Sequence, residues 1–222
     1  MTQKMSSQLR DALRSHALES IYWPHPAKVI VEKDLPSFYR AAAEQVGHDE
    51  PILYLEFGVA HGKSISEIAK IYQHADARFF GFDSFLGLPE DWLMHKKGAF
   101  ANQGRPPVID DKRVRFVQGW FQNTVPATIQ RLSRLAHRRI LVHFDADLYS
   151  STLFLLSLFW SNFDEYYFIF DDFIHDEVVA LADFMQAFPN RVEFFIQTRG
   201  GGSNPNPDQV FGKITREEFR LE

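Results

Sequence analysis

The sequence contains no cysteine, which excludes disulfide bonds, thiolate metal sites and cysteine nucleophiles. It also contains no run of about 18 apolar residues that could span a bilayer. The opening residues, MTQKMSSQLRDALRSH, lack the apolar core of a signal peptide. We therefore expect a cytoplasmic protein with no membrane partner.

Positive charge is scarce: 24 Lys and Arg face 29 Asp and Glu, which gives a net charge of −5 at pH 7. A nucleic-acid-binding domain carries a basic surface, so we expect a small-molecule partner and no nucleic acid. Apolar residues are abundant, at 45% of the chain with 22 Phe. A chain of 222 residues can bury roughly 70% of its unfolded surface, which indicates one globular unit. The sequence leaves a homodimer open.

Short apolar runs alternate with helical patterns through the middle of the chain. The runs are PILYLEFG (51–58), RFFGFD (78–83), RVRFVQG (113–119), RILVHFDAD (139–147) and YYFIFDD (166–172). The helical patterns cover residues 64–75, 124–136, 150–162 and 176–188. Near-continuous apolar strands separated by helices are typical of a parallel sheet covered on both faces.

Both ends of the chain differ from this alternation of strands and helices. Residues 7–21 and a helix from Asp34 or Ser37 to about Val46 predict an N-terminal helical cover over residues 1–50. At the other end, RVEFFIQT and QVFGKIT flank the turn-rich RGGGSNPNPD, which predicts an antiparallel hairpin. The order resembles class I methyltransferases. We therefore predict an α/β, Rossmann-like domain over residues 51–222, with a mostly parallel seven-stranded sheet and a C-terminal antiparallel hairpin.

One long segment, residues 84–112, shows little regular pattern. A loop of this length inside a compact domain is usually a lid, a binding loop or disordered. Its aromatic and basic residues, among them Trp92, His95, Lys96 and Lys97, favour a lid. A surface insertion is the alternative.

The string LEFGVAHGKSI (55–65) places a glycine turn after the first predicted strand of the sheet. Its Gly-Lys-Ser suggests a P-loop, but that motif needs a glycine where Phe57 stands. A P-loop phosphotransferase is therefore the least favoured interpretation. The alternative motif is Glu56, Gly58 and Gly62, a nucleotide-binding turn whose glycines allow close backbone approach to a ligand. Ser64 would then cap the following helix.

Ligands of doubly wound sheets bind outside the carboxyl ends of the strands. The next strand ends in Asp83, and an acid about 20 residues beyond the turn is placed to bind ribose hydroxyls. An adenosine-containing ligand fits this position, with a turn-forming role as the alternative for Asp83. Gly119 ends a further strand, and Trp120 after it could flank an adenine ring or pack in the core.

Four carboxylates follow the last two parallel strands, as Asp145-Ala-Asp147 and Asp171-Asp172. Neighbouring strands would bring these like charges together, and they cannot all stay ionised without a counter-cation. A hard divalent ion with oxygen ligands, such as Mg²⁺, resolves this repulsion. Helix capping near Ser150 or Asp176 is the alternative for one or two of them.

Five strings together resemble the macrocin O-methyltransferase family over residues 51–188. They are LEFGVAHGKS, FDSFLGLPED, VQGWFQNTVP, FDADLYSST and FIFDDF. The family comprises metal-dependent enzymes that methylate sugar hydroxyls of antibiotics. The resemblance implies S-adenosylmethionine over the glycine turn with Asp83 at its ribose. It also implies a divalent ion held by Asp145, Asp171 and Asp172, with Asp145 taking the proton of the acceptor hydroxyl.

Two positions depart from the family pattern: Ala146 replaces a usual Gly, and His143 stands where an Arg is often found. Neither change removes an implied ligand, but both bear on the acceptor pocket. We expect a Mg²⁺-dependent O-methyltransferase acting on a hydroxylated small molecule, glycosylated or not. The alternative is an inactive S-adenosylmethionine-binding regulatory module. Asp147 is expected to orient Asp145 or a nearby helix terminus. His175 is an alternative general base, although a surface position in a loop is favoured for it.

Overall fold

The structure is a computed structural model that describes residues 7–23, 29–133, 139–199 and 206–218. The strands are β1 (Ile30–Glu32), β2 (Ile52–Phe57), β3 (Arg78–Asp83), β4 (Val114–Gln118), β5 (Arg139–Phe144), β6 (Glu165–Phe170), β7 (Asn190–Thr198) and β8 (Val210–Arg216). The α-helices are α1 (Ser7–Ala17), α2 (Leu35–Val46), α3 (Lys63–Ile71), α4 (Phe121–Leu132), α5 (Tyr149–Trp160) and α6 (Val178–Ala187). Two π-helical turns, Leu18–Tyr22 and Phe173–Glu177, follow α1 and precede α6.

The eight strands of the described residues form one sheet in the order β1-β7-β8-β6-β5-β2-β3-β4. All neighbouring pairs are parallel except those of β8, which runs antiparallel to β6 and β7. The predicted fold class, with a mostly parallel sheet and a C-terminal antiparallel hairpin, is confirmed. Residues 200–205 of the predicted hairpin loop lie outside the described residues, as do residues 134–136 of the predicted helix 124–136.

The sheet has one strand more than the seven predicted. The extra strand, β1, pairs in parallel with β7 through three residues, and its two most N-terminal residues are exposed. A three-residue exposed run carries no readable periodicity in the sequence. The N-terminal segment therefore contributes a strand as well as helices.

The central strand β2 shows why the apolar runs lack alternation. All six of its residues are buried. Leu53, Leu55 and Phe57 pack in the core beneath α4, α5 and α6, whereas Ile52 and Tyr54 pack beneath α2 and α3. Because both faces are covered, the carboxyl ends of β2 to β6 are the part of the sheet open to a ligand. No helix in the described ranges is long and apolar enough to cross a membrane.

Candidate active site

The glycine turn after β2 packs directly on the end of β5. Gly58 has φ +94°, and a Cβ atom there would lie 1.7 Å from the backbone oxygen of Asp145. Gly62 has φ +75°, and a Cβ on it would lie 2.8 Å from Pro107 Cγ. Glycine is therefore required at both positions by the protein's own packing, and the end of the 84–112 segment rests on the turn.

Glu56 is fully buried beneath the turn. It accepts hydrogen bonds from the hydroxyls of Tyr54 and Ser64. The Ser64 hydroxyl is used in this way, and the N-cap residue of α3 is Gly62, with no side-chain cap. The prediction that Ser64 caps the helix is therefore wrong. Asp34 does cap α2, since its Oδ1 accepts from the Ser37 N–H at 2.8 Å.

Asp83 holds the turn in place. Its Oδ2 accepts from the N–H groups of Val59 and Ala60 at 2.8 and 2.9 Å, and its Oδ1 accepts from Phe85 N–H at 2.7 Å. The turn-forming role considered for Asp83 is thus present. Its side chain also lines the main cavity, so its contact with a ribose stays a prediction.

Three carboxylates converge at the ends of β5 and β6. Asp145, Asp147 and Asp172 each place an oxygen within 4.8 Å of the others. Asp147 reaches this position from a left-handed backbone conformation, φ +58°, which Asp tolerates better than most residues. The group differs in one member from the predicted set, because Asp171 lies instead beside His143, at 3.8 Å from its Nε2.

The convergence makes these carboxylates hard to ionise. Burial and then the neighbouring Asp172 raise the pKa of Asp147 to about 8. Burial and then Asp171 raise the pKa of Asp172 to about 6 and that of Asp145 well above its usual range. Such a group of oxygen donors fits a hard divalent cation, whose charge offsets the repulsion.

His143 is fully buried between the turn and this edge. Its Nδ1 lies 2.8 Å from the Tyr54 hydroxyl and 3.6 Å from Glu56 Oε2. Burial alone lowers the pKa of His143, but the carboxylates of Asp171 and Glu56 outweigh that effect and raise it to about 10. The protonated ring therefore links the acid under the glycine turn to an acid of the β6 edge.

Replacing His143 with Leu should leave the buried Glu56 carboxylate without its charge partner. We expect the free energy of unfolding to fall by about 3 kcal/mol, the range found when one member of a buried pair is removed. Urea unfolding measures this, with His48→Leu as control because the His48 side chain is 50% exposed. Equal losses in the two variants would show that His143 carries no charge important for stability.

Glu177 is a second buried acid that the sequence analysis missed. It is fully buried, and it accepts from the N–H groups of Ala146 and Asp172 at 3.4 and 3.2 Å. Burial and then Asp172 raise its pKa well above the usual range. Glu177 thereby ties together the backbones of the two acidic strings. Its only sequence signal is an acid in an apolar helical pattern.

A cavity of about 580 Å³ opens over this edge of the sheet. The turn and the ends of β3 and β4 contribute Gly58, Ala60, Asp83, Gly119, Trp120, Phe121 and Gln122, and the ends of β5 and β6 contribute Asp145, Ala146, Asp147, Leu148, Ser150, Ser151, Asp171 and Asp172. The 84–112 segment contributes Ser84, Gly87, Leu88, Pro89, Glu90 and Phe100. A second cavity, of about 590 Å³, lies between α2 and α3; it borders Lys63 and Ser64 and shares Asp145 and Asp171 with the first.

The 84–112 segment packs over the site through Trp92. This ring is buried against Leu88 and Leu148 and contacts the ring of His175 edge-on at 5.6 Å between centroids. Lys96 pairs with Asp91 outside the cavity. Burial lowers the pKa of His175, and its side chain is not among the residues lining the cavity. The structure therefore brings His175 against the covering segment and away from the acidic cluster.

Comparison with known proteins finds one matching family model and several solved structures of similar fold. A family model described as macrocin O-methyltransferase (TylF) matches residues 101–193. No curated protein sequence matches the chain. The chain is similar to the solved O-methyltransferase NovP, with 21% identity and a TM-score of 0.52 over 82% of this chain and 79% of that one.

Two further solved structures share the fold. An O-methyltransferase from Bacillus cereus in complex with S-adenosylhomocysteine has 13% identity and a TM-score of 0.50, over 97% of this chain and 94% of that one. TomG from Streptomyces achromogenes, an O-methyltransferase of tomaymycin synthesis solved with S-adenosylmethionine, has 12% identity and a TM-score of 0.51, over 96% and 92%. At these identities the structures show the fold alone. The resemblance seen in the sequence is confirmed, since the chain is similar to macrocin O-methyltransferases over residues 101–193 and shares its fold with solved O-methyltransferases.

Proposed function

We propose that this protein transfers a methyl group from S-adenosylmethionine to a hydroxyl of a small molecule, glycosylated or not, with the help of a divalent cation such as Mg²⁺. The observation that carries the proposal is that the main cavity borders both the glycine turn with Asp83 and the carboxylates of Asp145, Asp147 and Asp172. A donor site and an oxygen-ligand site that share one cavity can bring a methyl group and an acceptor oxygen together.

The donor is proposed to lie across the turn. Gly58, Asp83, Gly119 and Trp120 border the main cavity and would receive its nucleoside. Ser64, whose hydroxyl is held by the buried Glu56, borders the second cavity next to Gly62 and would lie beside the amino-acid part. The two cavities meet at Asp145 and Asp171, so the sulfonium centre would lie near those carboxylates.

The cation is proposed to bind the carboxylates at the β5 and β6 ends. Asp145 and Asp172 belong to both the predicted set and the converging group, whereas Asp171 and Asp147 each belong to one of them. A bound divalent ion lowers the pKa of a coordinated hydroxyl. The Asp145 carboxylate would accept the proton that the acceptor hydroxyl loses. Glu177 accepts from the backbone N–H groups of Ala146 and Asp172. These hydrogen bonds would hold the neighbouring carboxylates in position for the cation.

Two other functions are less well supported. An inactive S-adenosylmethionine-binding module would not need several mutually repelling carboxylates at one strand edge. A P-loop phosphotransferase would need bare backbone at position 57, but the Phe57 side chain is fully buried and stacks on Phe82. The Ser64 hydroxyl is also bonded to Glu56.

The first test compares ligands by thermal unfolding and calorimetry. S-adenosylhomocysteine at 100 times its dissociation constant should stabilise the protein by about 2.7 kcal/mol, and ATP should not stabilise it. Removing divalent ions with EDTA should abolish methyl transfer in a screen of hydroxylated acceptors and leave S-adenosylhomocysteine binding intact.

Each part of the proposal can fail separately. Stabilisation by ATP alone would support the phosphotransferase. Donor binding without transfer to any acceptor, with or without Mg²⁺, would support the inactive module. If methyl transfer persists at full rate in EDTA and added Mg²⁺ does not change the rate, the proposed metal dependence is wrong. The proposed methyltransferase activity would still stand.

A further inference from the structure

The main cavity carries charge of one sign. Its ionisable lining residues among the described part of the chain are Asp83, Glu90, Asp145, Asp147, Asp171 and Asp172. No Lys, Arg or His of the described ranges lines it. A cleft lined by one sign of charge concentrates the field and raises the local concentration of oppositely charged ligands.

Most of these carboxylates already have partners. Asp83 accepts three backbone N–H groups, and Asp171 lies beside the buried His143 ring. Asp145, Asp147 and Asp172 form the converging group that would hold a divalent ion, and three carboxylates more than balance two positive charges. The formal charge of the lining side chains therefore stays negative even with the ion in place.

Glu90 is different from the other five. It lies in the 84–112 segment, its side chain is exposed, and within the described residues it has no hydrogen-bond or ion-pair partner. It nevertheless borders the same cavity as the acidic cluster. The Glu90 carboxylate could therefore pair with a positively charged group of an acceptor in the cavity.

The same cavity also presents apolar rings. Phe100 and Trp120, which both line it, keep 45% and 38% of their surface exposed. Aromatic faces pack against the apolar side of a ring and attract a cation above them. An acceptor with an apolar ring face and a positive charge satisfies both the rings and Glu90.

We propose that Glu90 is a specificity-determining residue that favours a cationic, amine-bearing hydroxylated acceptor and disfavours acceptors with a carboxylate or phosphate. This inference rests on the proposed function, because it assumes that the acceptor enters the main cavity. It concerns the acceptor alone, so donor binding is unaffected by its outcome.

A matched series of catechols provides the probes, since they share two adjacent hydroxyls and differ in charge. Dopamine is cationic, 4-methylcatechol is neutral and 3,4-dihydroxybenzoate is anionic at pH 7. Binding is measured by calorimetry to protein saturated with S-adenosylhomocysteine and Mg²⁺. We expect dopamine to bind about tenfold more tightly than 3,4-dihydroxybenzoate, with 4-methylcatechol between them. Glu90→Gln should reduce that ratio by about threefold to fivefold.

Glu44→Gln is the matched control, because Glu44 is an exposed acid on α2 near Arg139, at the opposite ends of the strands. It should leave the ratio unchanged. Equal binding of the three catechols, a preference for the anion, or no binding of any of them would overturn the inference while S-adenosylhomocysteine still binds. An unchanged ratio in Glu90→Gln would overturn the role of Glu90. Loss of S-adenosylhomocysteine binding in the wild type would instead count against the proposed function.

A second measurement needs no acceptor. The fluorescence of Trp120 is isolated as the difference between wild type and Trp120→Phe, and each quenching constant is divided by that of free N-acetyltryptophanamide. On this scale caesium should quench Trp120 more strongly than iodide, because the cavity attracts cations. Glu90→Gln should narrow that difference. Stronger quenching by iodide on the same relative scale would overturn the inference whatever reaction the protein catalyses.

Discussion

Asp145→Asn is expected to lower methyl transfer by about 10²-fold to 10⁴-fold, the range by which a positioned acid or base contributes to catalysis. The substitution removes the proposed proton acceptor and weakens one oxygen ligand of the cation. Measured on an acceptor that the wild type methylates, the loss should appear in kcat as well as in the Mg²⁺ concentration needed for half activity.

The same variant should be as stable as the wild type, or more stable, in EDTA. Asp145 lies among acids that repel one another, and burial raises its pKa, so an uncharged amide removes a penalty that the folded state bears without the ion. Asp49→Asn is the control, since that side chain is 93% exposed and should change neither rate nor stability. Wild-type rates in Asp145→Asn would remove Asp145 from the mechanism. A destabilised variant would mean that Asp145 has a structural role.

Sequence periodicity could predict those elements that are buried evenly along their whole length, because their pattern does not depend on which elements they pair with. β2 is buried along its whole length, so its apolar run is visible without knowledge of its neighbours. Asp83, Asp145 and Asp171 were identifiable because each stands at the end of such a run and the carboxyl ends of parallel strands meet at one edge. The family motif then supplied the chemistry that the position alone does not specify.

The features that were missed depend on tertiary pairing. His143 stands opposite Glu56 because β5 pairs with β2 in that register, and nothing within either strand encodes this alignment. Glu177 reaches the backbone of Ala146 from the turn before α6, 31 residues away in sequence. Asp147 joins the converging group from a left-handed backbone conformation. The string FDADLYSST does not predict this conformation.

Gly58→Ala is expected to have the largest effect on stability. The residue has φ +94°, and a methyl group there would lie 1.7 Å from the Asp145 backbone oxygen. That oxygen belongs to rigid backbone at the end of β5, because Asp145 N–H donates to the Phe57 carbonyl at 2.9 Å. The turn and the strand end would have to separate. We expect the free energy of unfolding to fall by about 4 kcal/mol or more.

Gly98→Ala measures the backbone part of this effect alone, so that its difference from Gly58→Ala gives the steric part. Gly98 has a similar φ of +86°, but a Cβ there meets no atom within 4 Å, so only the left-handed backbone is penalised, by about 1–2 kcal/mol. The free energies of unfolding of the two variants, measured with urea, should therefore differ by about 2 kcal/mol or more. Calorimetry should show that S-adenosylhomocysteine binding is lost in Gly58→Ala and retained in Gly98→Ala. Equal losses of stability with intact binding would mean that the glycine turn can move away from Asp145, and that its packing on β5 does not shape the donor site. A selective loss would instead show that one contact between Gly58 and Asp145 holds the donor turn and the acidic edge in register, so that donor and acceptor oxygen can meet.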